Sequence, residues 1–274
     1  MVKIYEFPTE GSLAKSLDDF TFYLHGKDYS PDTMKAYING MRCFYSHGFT
    51  DVSYDNAILF RNMLKQEGKS AKTINLMLCS VNHYLRWTGQ NTVKVVKEND
   101  SPFADNGMEL EDFHHLVECL LRDRKYHWYV VVKLLASTGM RIGEAMSVTY
   151  GDFRKGYCTV FGKGDKERTV YFSHLLRETL FMYIKDKADT EHMIPYSKNY
   201  VRTAFRNIKR RYKLDFNNSP HEFRRFFARQ MYETTHDEAL IKGLLGHENI
   251  KTTSHYIKKT RRRAFEMYAY AQNW

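Results

Sequence analysis

Four polar segments in the later part of the chain hold side chains suited to acid, base and phosphate chemistry. "TGMRIGEAMSV" puts Arg141 just past Gly139, with Glu144 three residues on. "GKGDKER" sets Lys163 between two glycines, where bare backbone allows close approach to a ligand. "SPHEFRRFFA" begins as a capped helix and carries His221 and Arg224 three residues apart, a spacing that shares a helix face. "LLGHENIKTTSHYIKK" has His247 directly after Gly246 and Tyr256 before a basic run. Breaking a phosphodiester without metal calls for such groups. Cations must hold the non-bridging oxygens, a nucleophile must lie in line, and a proton must reach the departing oxygen. Arginine suits the first task because its planar fork offers two parallel donors to phosphate.

Each segment also has an ordinary explanation. Arg141 and Glu144 suit a helix-surface ion pair. Lys163, Lys166 and Arg168 suit a soluble turn. His221 suits the start of a surface helix, and Tyr256 suits half-buried packing with His255 beside it. The sequence contains no DxD, HExxH or paired-carboxylate motif, so no metal site is expected and no cofactor is implied.

The elements that must position these groups divide the chain in two. Residues 1–92 read as a four-helix bundle, with "SPDTMKAYINGMRCFYSHG" and "SAKTINLMLCSVNHYLRWTG" each running from a serine cap to a glycine stop. Residues 93–107 lose periodicity and gather Asn, Asp, Pro and Gly, which marks a linker. From 108 to 274 helices resume. Two β-rich runs, Tyr157–Phe161 and Thr169–Phe172, flank a polar turn and predict a hairpin, after which the chain reads as helical to its end. The fold class is mainly α, with the second domain mixed by one small sheet.

Of the net charge of +10, residues 1–100 contribute +1 and the remainder +9. The excess lies in "KNYVRTAFRNIKRRYK" and "KKTRRR", where Tyr and Phe interleave with cations, a pattern that fits a polyanion such as nucleic acid. Aromatic residues make up 15% of the chain, which excludes a disordered tail. Four scattered cysteines without CxxC spacing argue against a zinc site and a disulfide framework and fit a reducing cytoplasm. No secretory signal or membrane-length apolar run is present, so a soluble cytoplasmic, nucleoid-associated protein without a membrane partner is expected.

Taken in order, the four segments resemble the catalytic motifs of the tyrosine recombinases, the phage-integrase and Xer-like group. The resemblance spans roughly residues 10–270. It implies a core-binding domain over 1–92 and a catalytic domain with a C-terminal tail helix over 108–274. It further implies that Arg141 and Arg224 bind the scissile phosphate and that Lys163 protonates the 5′-oxygen. His221 and His247 contact the phosphate, Glu144 orients an arginine, and Tyr256 is the nucleophile. The implied reaction needs neither metal nor ATP. It joins Tyr256 to a DNA 3′-phosphate and passes through a Holliday junction in integration, excision, inversion or resolution. The implied partners are double-stranded DNA, three further copies in a homo-tetramer joined by tail exchange, and an accessory directionality factor. Lys166 is a rival to Lys163. The sequence departs from the family's frequent His-Thr pair with "RFF" after Arg224, for which altered packing is expected. Two other readings remain open: a type IB topoisomerase with the same chemistry, and a catalytically silent DNA-binding regulator on this scaffold.

Overall fold

The computed structural model describes residues 10–27, 29–96, 107–161, 167–246, 253, 254 and 256–258, with backbone alone over 10–16. The chain divides into two compact units, residues 1–100 and 101–274.

The first unit contains helices α1 (Glu10–His25), α2 (Pro31–Ser46), α3 (Tyr54–Gln66) and α4 (Ala71–Trp87). Ser30, Ser53 and Ser70 cap the last three, each side-chain oxygen accepting the backbone N–H three residues on. Apolar stripes close on a core that includes Phe20, Phe44, Phe60, Leu78 and Leu85. Helices α2 and α4 approach closely because Gly40 has no side chain. A Cβ there would stand 2.1 Å from Ser80 Oγ. Residues 93–96, which their composition assigns to the linker, are strapped to the bundle. Asn82 exchanges hydrogen bonds with both backbone groups of Val93, and Asn75 does the same with Val96. Val93 is buried as a result.

The second unit is built around α6 (Tyr126–Thr138), whose run of Val130, Val131, Val132, Leu134 and Leu135 is buried on nearly every side. Helices α5 (Leu110–Arg122), α9 (His174–Ile184) and α11 (Pro220–Thr235) pack on it. The remaining described elements are α7 (Ile142–Ala145), α8 (Tyr150–Lys155), strands β1 (Tyr157–Phe161) and β2 (Glu167–Tyr171), α10 (Lys198–Tyr212) and α12 (Glu238–Leu245). The strands form one antiparallel hairpin with Val160 opposite Arg168 and Tyr157 opposite Tyr171. Phe172, predicted to lie in the second strand, instead closes the base of the hairpin by donating its N–H to the Gly156 carbonyl.

The expectation of continuous helix after the hairpin does not hold. Between α9 and α10 the chain turns back to the start of α8: Tyr150 N–H donates to the Glu191 carbonyl, Met193 N–H to the Val148 carbonyl, and Thr149 bridges His192. Burial of Met193 and Ile194 holds this segment in place, and apolar residues buried by an irregular strand carry no helical period to read.

One buried ionic cluster ties the start of the unit to α11. Glu222 Oε1 accepts from the Met108 backbone N–H and from Arg229 Nη2, which also donates to the Met108 carbonyl. Among the described residues no helix is long and apolar enough to cross a membrane, and no group of three or more His, Cys, Asp or Glu could hold a metal ion.

Candidate active site

Gly139 ends α6 in the left-handed conformation, with φ +62°, and turns the chain toward α7. Arg141 is therefore fixed immediately before a new helix. It is held there by Glu144, whose Oε2 accepts the Arg141 backbone N–H at 2.7 Å and whose Oε1 accepts from Arg141 Nη1 at 2.8 Å. The Arg141 side chain is 36% exposed, half-sunken at the junction between the two helices. Glu144 itself is buried and receives a second guanidinium, Arg168, through both oxygens at 2.9 and 2.7 Å. Burial raises the Glu144 pKa, but the Arg168 and Arg141 donors overcome it and bring the carboxyl down to about 2.

Helix α11 supplies the next two groups. Ser219 caps it and Pro220 opens it, as the sequence predicts. His221 and Arg224 do not share a solvent face, however. His221 is exposed, whereas Arg224 is 1% exposed. Arg224 Nη1 donates to the Gly139 carbonyl at 2.7 Å and Nη2 to the Leu245 carbonyl at 2.6 Å, while its Nε is buried with no hydrogen-bond partner among the described residues. The reason for the difference in depth is tertiary. Two element ends, α6 and α12, both leave carbonyls pointing at this spot, and a guanidinium can satisfy both at once. Desolvation, followed by the like charge of Arg141, lowers the Arg224 pKa to about 10, so it stays cationic at neutral pH. His221 keeps an exposed edge, yet loss of water around it, then the charges of Arg224, Arg225 and Arg141, press its pKa down. Its imidazole is neutral at pH 7, able to donate one hydrogen bond and accept another.

Tyr256 packs against the small cluster of Ala228, Ile241, Leu245 and Ile257. Arg224 and Arg225 lie 6.0 and 5.8 Å from its ring centroid, within reach of the aromatic face. Lys163, its rival Lys166 and His247 fall outside the described residues, as does the tail after Lys258. The "RFF" that follows His221-Glu-Phe-Arg224 has a packing role: Phe226 stacks on Phe113 at 4.9 Å in the core, and Phe227 reaches Gly139.

Two groups that the sequence left aside belong to this site. Arg225 flanks Tyr256, and Arg168 holds Glu144. The strand alternation carries the signal for Arg168: it lies two residues before Val170, so both project to the buried face of β2, opposite Val160 and Cys158. A cation on the inner face of a strand requires a partner, whereas the same cation in a turn does not.

Gly139 can be tested directly. A Cβ there would meet Phe227 Cδ1 at 2.5 Å and Leu245 Cδ2 at 2.8 Å, at a positive φ. Gly139→Ala is expected to destabilise the second unit by roughly 1–3 kcal/mol, read as a lower denaturant midpoint. It should also move the carbonyl that Arg224 uses.

With Arg225 beside the ring, the arrangement offers a half-buried and a buried guanidinium, a neutral imidazole and a phenol within a small region. Such a set can bind an oxyanion and present a nucleophile beside it. The sequence model of the Phage integrase family matches residues 108–263, which include every one of these groups. The chain belongs to the phage integrase family.

This integrase-family chain is 28% identical over 260 residues to tyrosine recombinase XerA of Pyrococcus furiosus, covering 89% of each protein. Its fold is also similar to two solved structures. One is a lambda integrase dimer bound to a COC′ core site, with TM-score 0.71 and 19% identity over 90% of this chain and 77% of that one. The other is a lambda integrase tetramer bound to a Holliday junction, with TM-score 0.69 and 20% identity over 89% of this chain and 76% of that one.

Proposed function

We propose that this chain breaks and rejoins DNA at specific sites with Tyr256 as its nucleophile. The activity is site-specific tyrosine recombination. Tyr256 Oη attacks the scissile phosphorus, the 5′-oxygen leaves with a proton, and a 3′-phosphotyrosyl ester conserves the bond for rejoining without ATP or metal. Arg141 and Arg224 hold the non-bridging oxygens, with His221 and His247 hydrogen-bonding the phosphate and taking up the proton that Tyr256 Oη releases. Lys163 supplies the proton to the 5′-oxygen. The single observation that supports this reading is that Arg224 and Arg225 face the Tyr256 ring while Arg224 also binds the Gly139 carbonyl, 85 residues earlier and two residues before Arg141.

The buried state of Arg224 bears on how the reaction begins. At 1% exposure the guanidinium meets a phosphate only after the protein around it opens, so duplex binding and completion of the site are one event.

Residues 1–92 act as the core-binding domain, 93–107 as the linker and 108–274 as the catalytic domain with its tail. Four copies assemble on two DNA sites through exchange of that tail, with an accessory factor setting direction, and the reaction takes place in the cytoplasm. The basic second unit supports DNA as the partner, since its excess charge attracts phosphates and makes binding weaken steeply with salt.

Incubating the full chain with fragmented genomic DNA, trapping covalent protein–DNA adducts and sequencing the attached DNA tests this reading and identifies the site. Absence of any adduct would sink it and favour a silent regulator. Adducts and plasmid relaxation without dependence on paired sites would favour the topoisomerase reading. On the recovered site, Lys163→Ala is expected to lose cleavage on normal DNA and regain it on DNA with sulfur at the 5′-bridging position, because a thiolate leaves without a proton. Rescue of Lys166→Ala in its place would transfer the role of acid to Lys166.

A further inference from the structure

Arg168 touches more of the site than any role so far accounts for. It binds Glu144 fork to fork, through Nη1 to Oε1 at 2.9 Å and Nη2 to Oε2 at 2.7 Å. Arg141 gives the same carboxylate one side-chain N–H. Each Glu144 oxygen thus accepts two hydrogen bonds, one from each arginine. Arg168 is the deeper of the two cations, 12% exposed against 36% for Arg141. It also lies against Gly246, where a Cβ would stand 3.0 Å from Arg168 Cδ and 3.2 Å from Nη1. Gly246 precedes His247, and β2 follows the turn that contains Lys163.

A carboxylate beside a phosphate-binding arginine poses an electrostatic problem. Glu144 and Arg141 alone sum to zero charge, and a one-to-one ion pair competes with an incoming phosphate for the same donors. With Arg168 the trio sums to +1. The buried arginine then satisfies the carboxylate in two-point geometry, and the outer one keeps its charge and most of its donors for a ligand. Stability is a weak reason for this arrangement, because a buried ion pair is often no more stabilising than apolar packing of the same volume.

We propose that Arg168 is a positioning residue for the recombination reaction, neutralising Glu144 so that Arg141 remains free to take the scissile phosphate. The proposal rests on the tyrosine recombinase reading above. It assigns Arg168 no contact with DNA. Its action is through Glu144 and Arg141, and through its packing on Gly246.

The test is single-turnover adduct formation by the full chain on the duplex recovered by trapping, at saturating DNA. Arg168→Ala is expected to slow adduct formation about 10–100-fold, the scale seen when an outer partner of a functional group is removed. Arg168→Lys, which keeps the charge but not the fork, should lose less. Combining Arg168→Ala with Glu144→Gln should recover about tenfold over Arg168→Ala, since no unneutralised carboxylate remains to capture Arg141. A residue that only fills space predicts the reverse, with the double variant slower than either single one and the losses following the folded fraction measured by circular dichroism. That result, or an Arg168→Ala rate within twofold of wild type, overturns the proposal. If Arg168→Ala does not fold, Arg168→Gln, which still fills the site and donates to Glu144, replaces it in the same comparison. The wild-type reaction run alongside separates the two levels: no wild-type adduct removes the recombinase reading and this role with it, whereas a wild-type adduct with an unaffected variant removes only the role of Arg168.

Discussion

Tyr256→Phe is expected to leave DNA binding intact and to abolish the covalent adduct. The substitution removes one oxygen and preserves the ring, so contacts with Ala228, Ile241, Leu245 and Ile257 survive. The aromatic face near Arg224 and Arg225 also remains. Folding and the local positions of both guanidiniums should therefore be close to those of the wild type. What disappears is the only atom of that side chain able to bond to phosphorus. On a nicked duplex bearing the recovered site, the wild type should give a species that migrates more slowly in denaturing gels, and the variant none, with equal retention of DNA in native gels. A persistent adduct from Tyr256→Phe would move the nucleophile elsewhere in the chain.

Arg224→Ala is expected to cost cleavage on the order of 10²–10³-fold, by analogy with loss of one preorganised oxyanion donor. It should also destabilise the second unit by about 2–4 kcal/mol. The two effects have separate causes. Cleavage falls because a phosphate ligand is gone. Stability falls because the carbonyls of Gly139 and Leu245, both paired with Arg224, are left buried without donors around a void. Arg141→Ala provides the contrast. Its side chain is 36% exposed and holds no distant carbonyl among the described residues, so its rate loss should be similar and its stability loss much smaller. Rates taken well below the melting temperature separate the two quantities. A cleavage loss under tenfold for Arg224→Ala would count against its place at the phosphate.

Much of this was readable along the chain. Ser30, Ser70 and Ser219 announce helix starts because a cap is a contact between residues three apart, and local sequence contains both partners. The buried stretch of α6 and the hairpin of β1 and β2 follow from apolar runs and alternation, which report burial through the same short range. The positions of Arg141, Glu144, His221, Arg224 and Tyr256 were legible as an ordered set of motifs.

Depth and partnership were not. Nothing near Arg224 in sequence says that it is buried, because its acceptors, Gly139 and Leu245, are 85 and 21 residues away. Arg168 reads as part of a soluble turn until Glu144, 24 residues earlier, is brought beside it. The segment between α9 and α10 reads as helix until Val148 and Tyr150 offer it backbone partners. By itself the sequence determined most of the elements and which side chains could do the chemistry, since helix caps, strand parity and residue type act over a few positions. Only the tertiary structure decided which cation is enclosed, which is shared with a carboxylate and which faces the tyrosine, since burial and charge pairing depend on what the rest of the chain brings near.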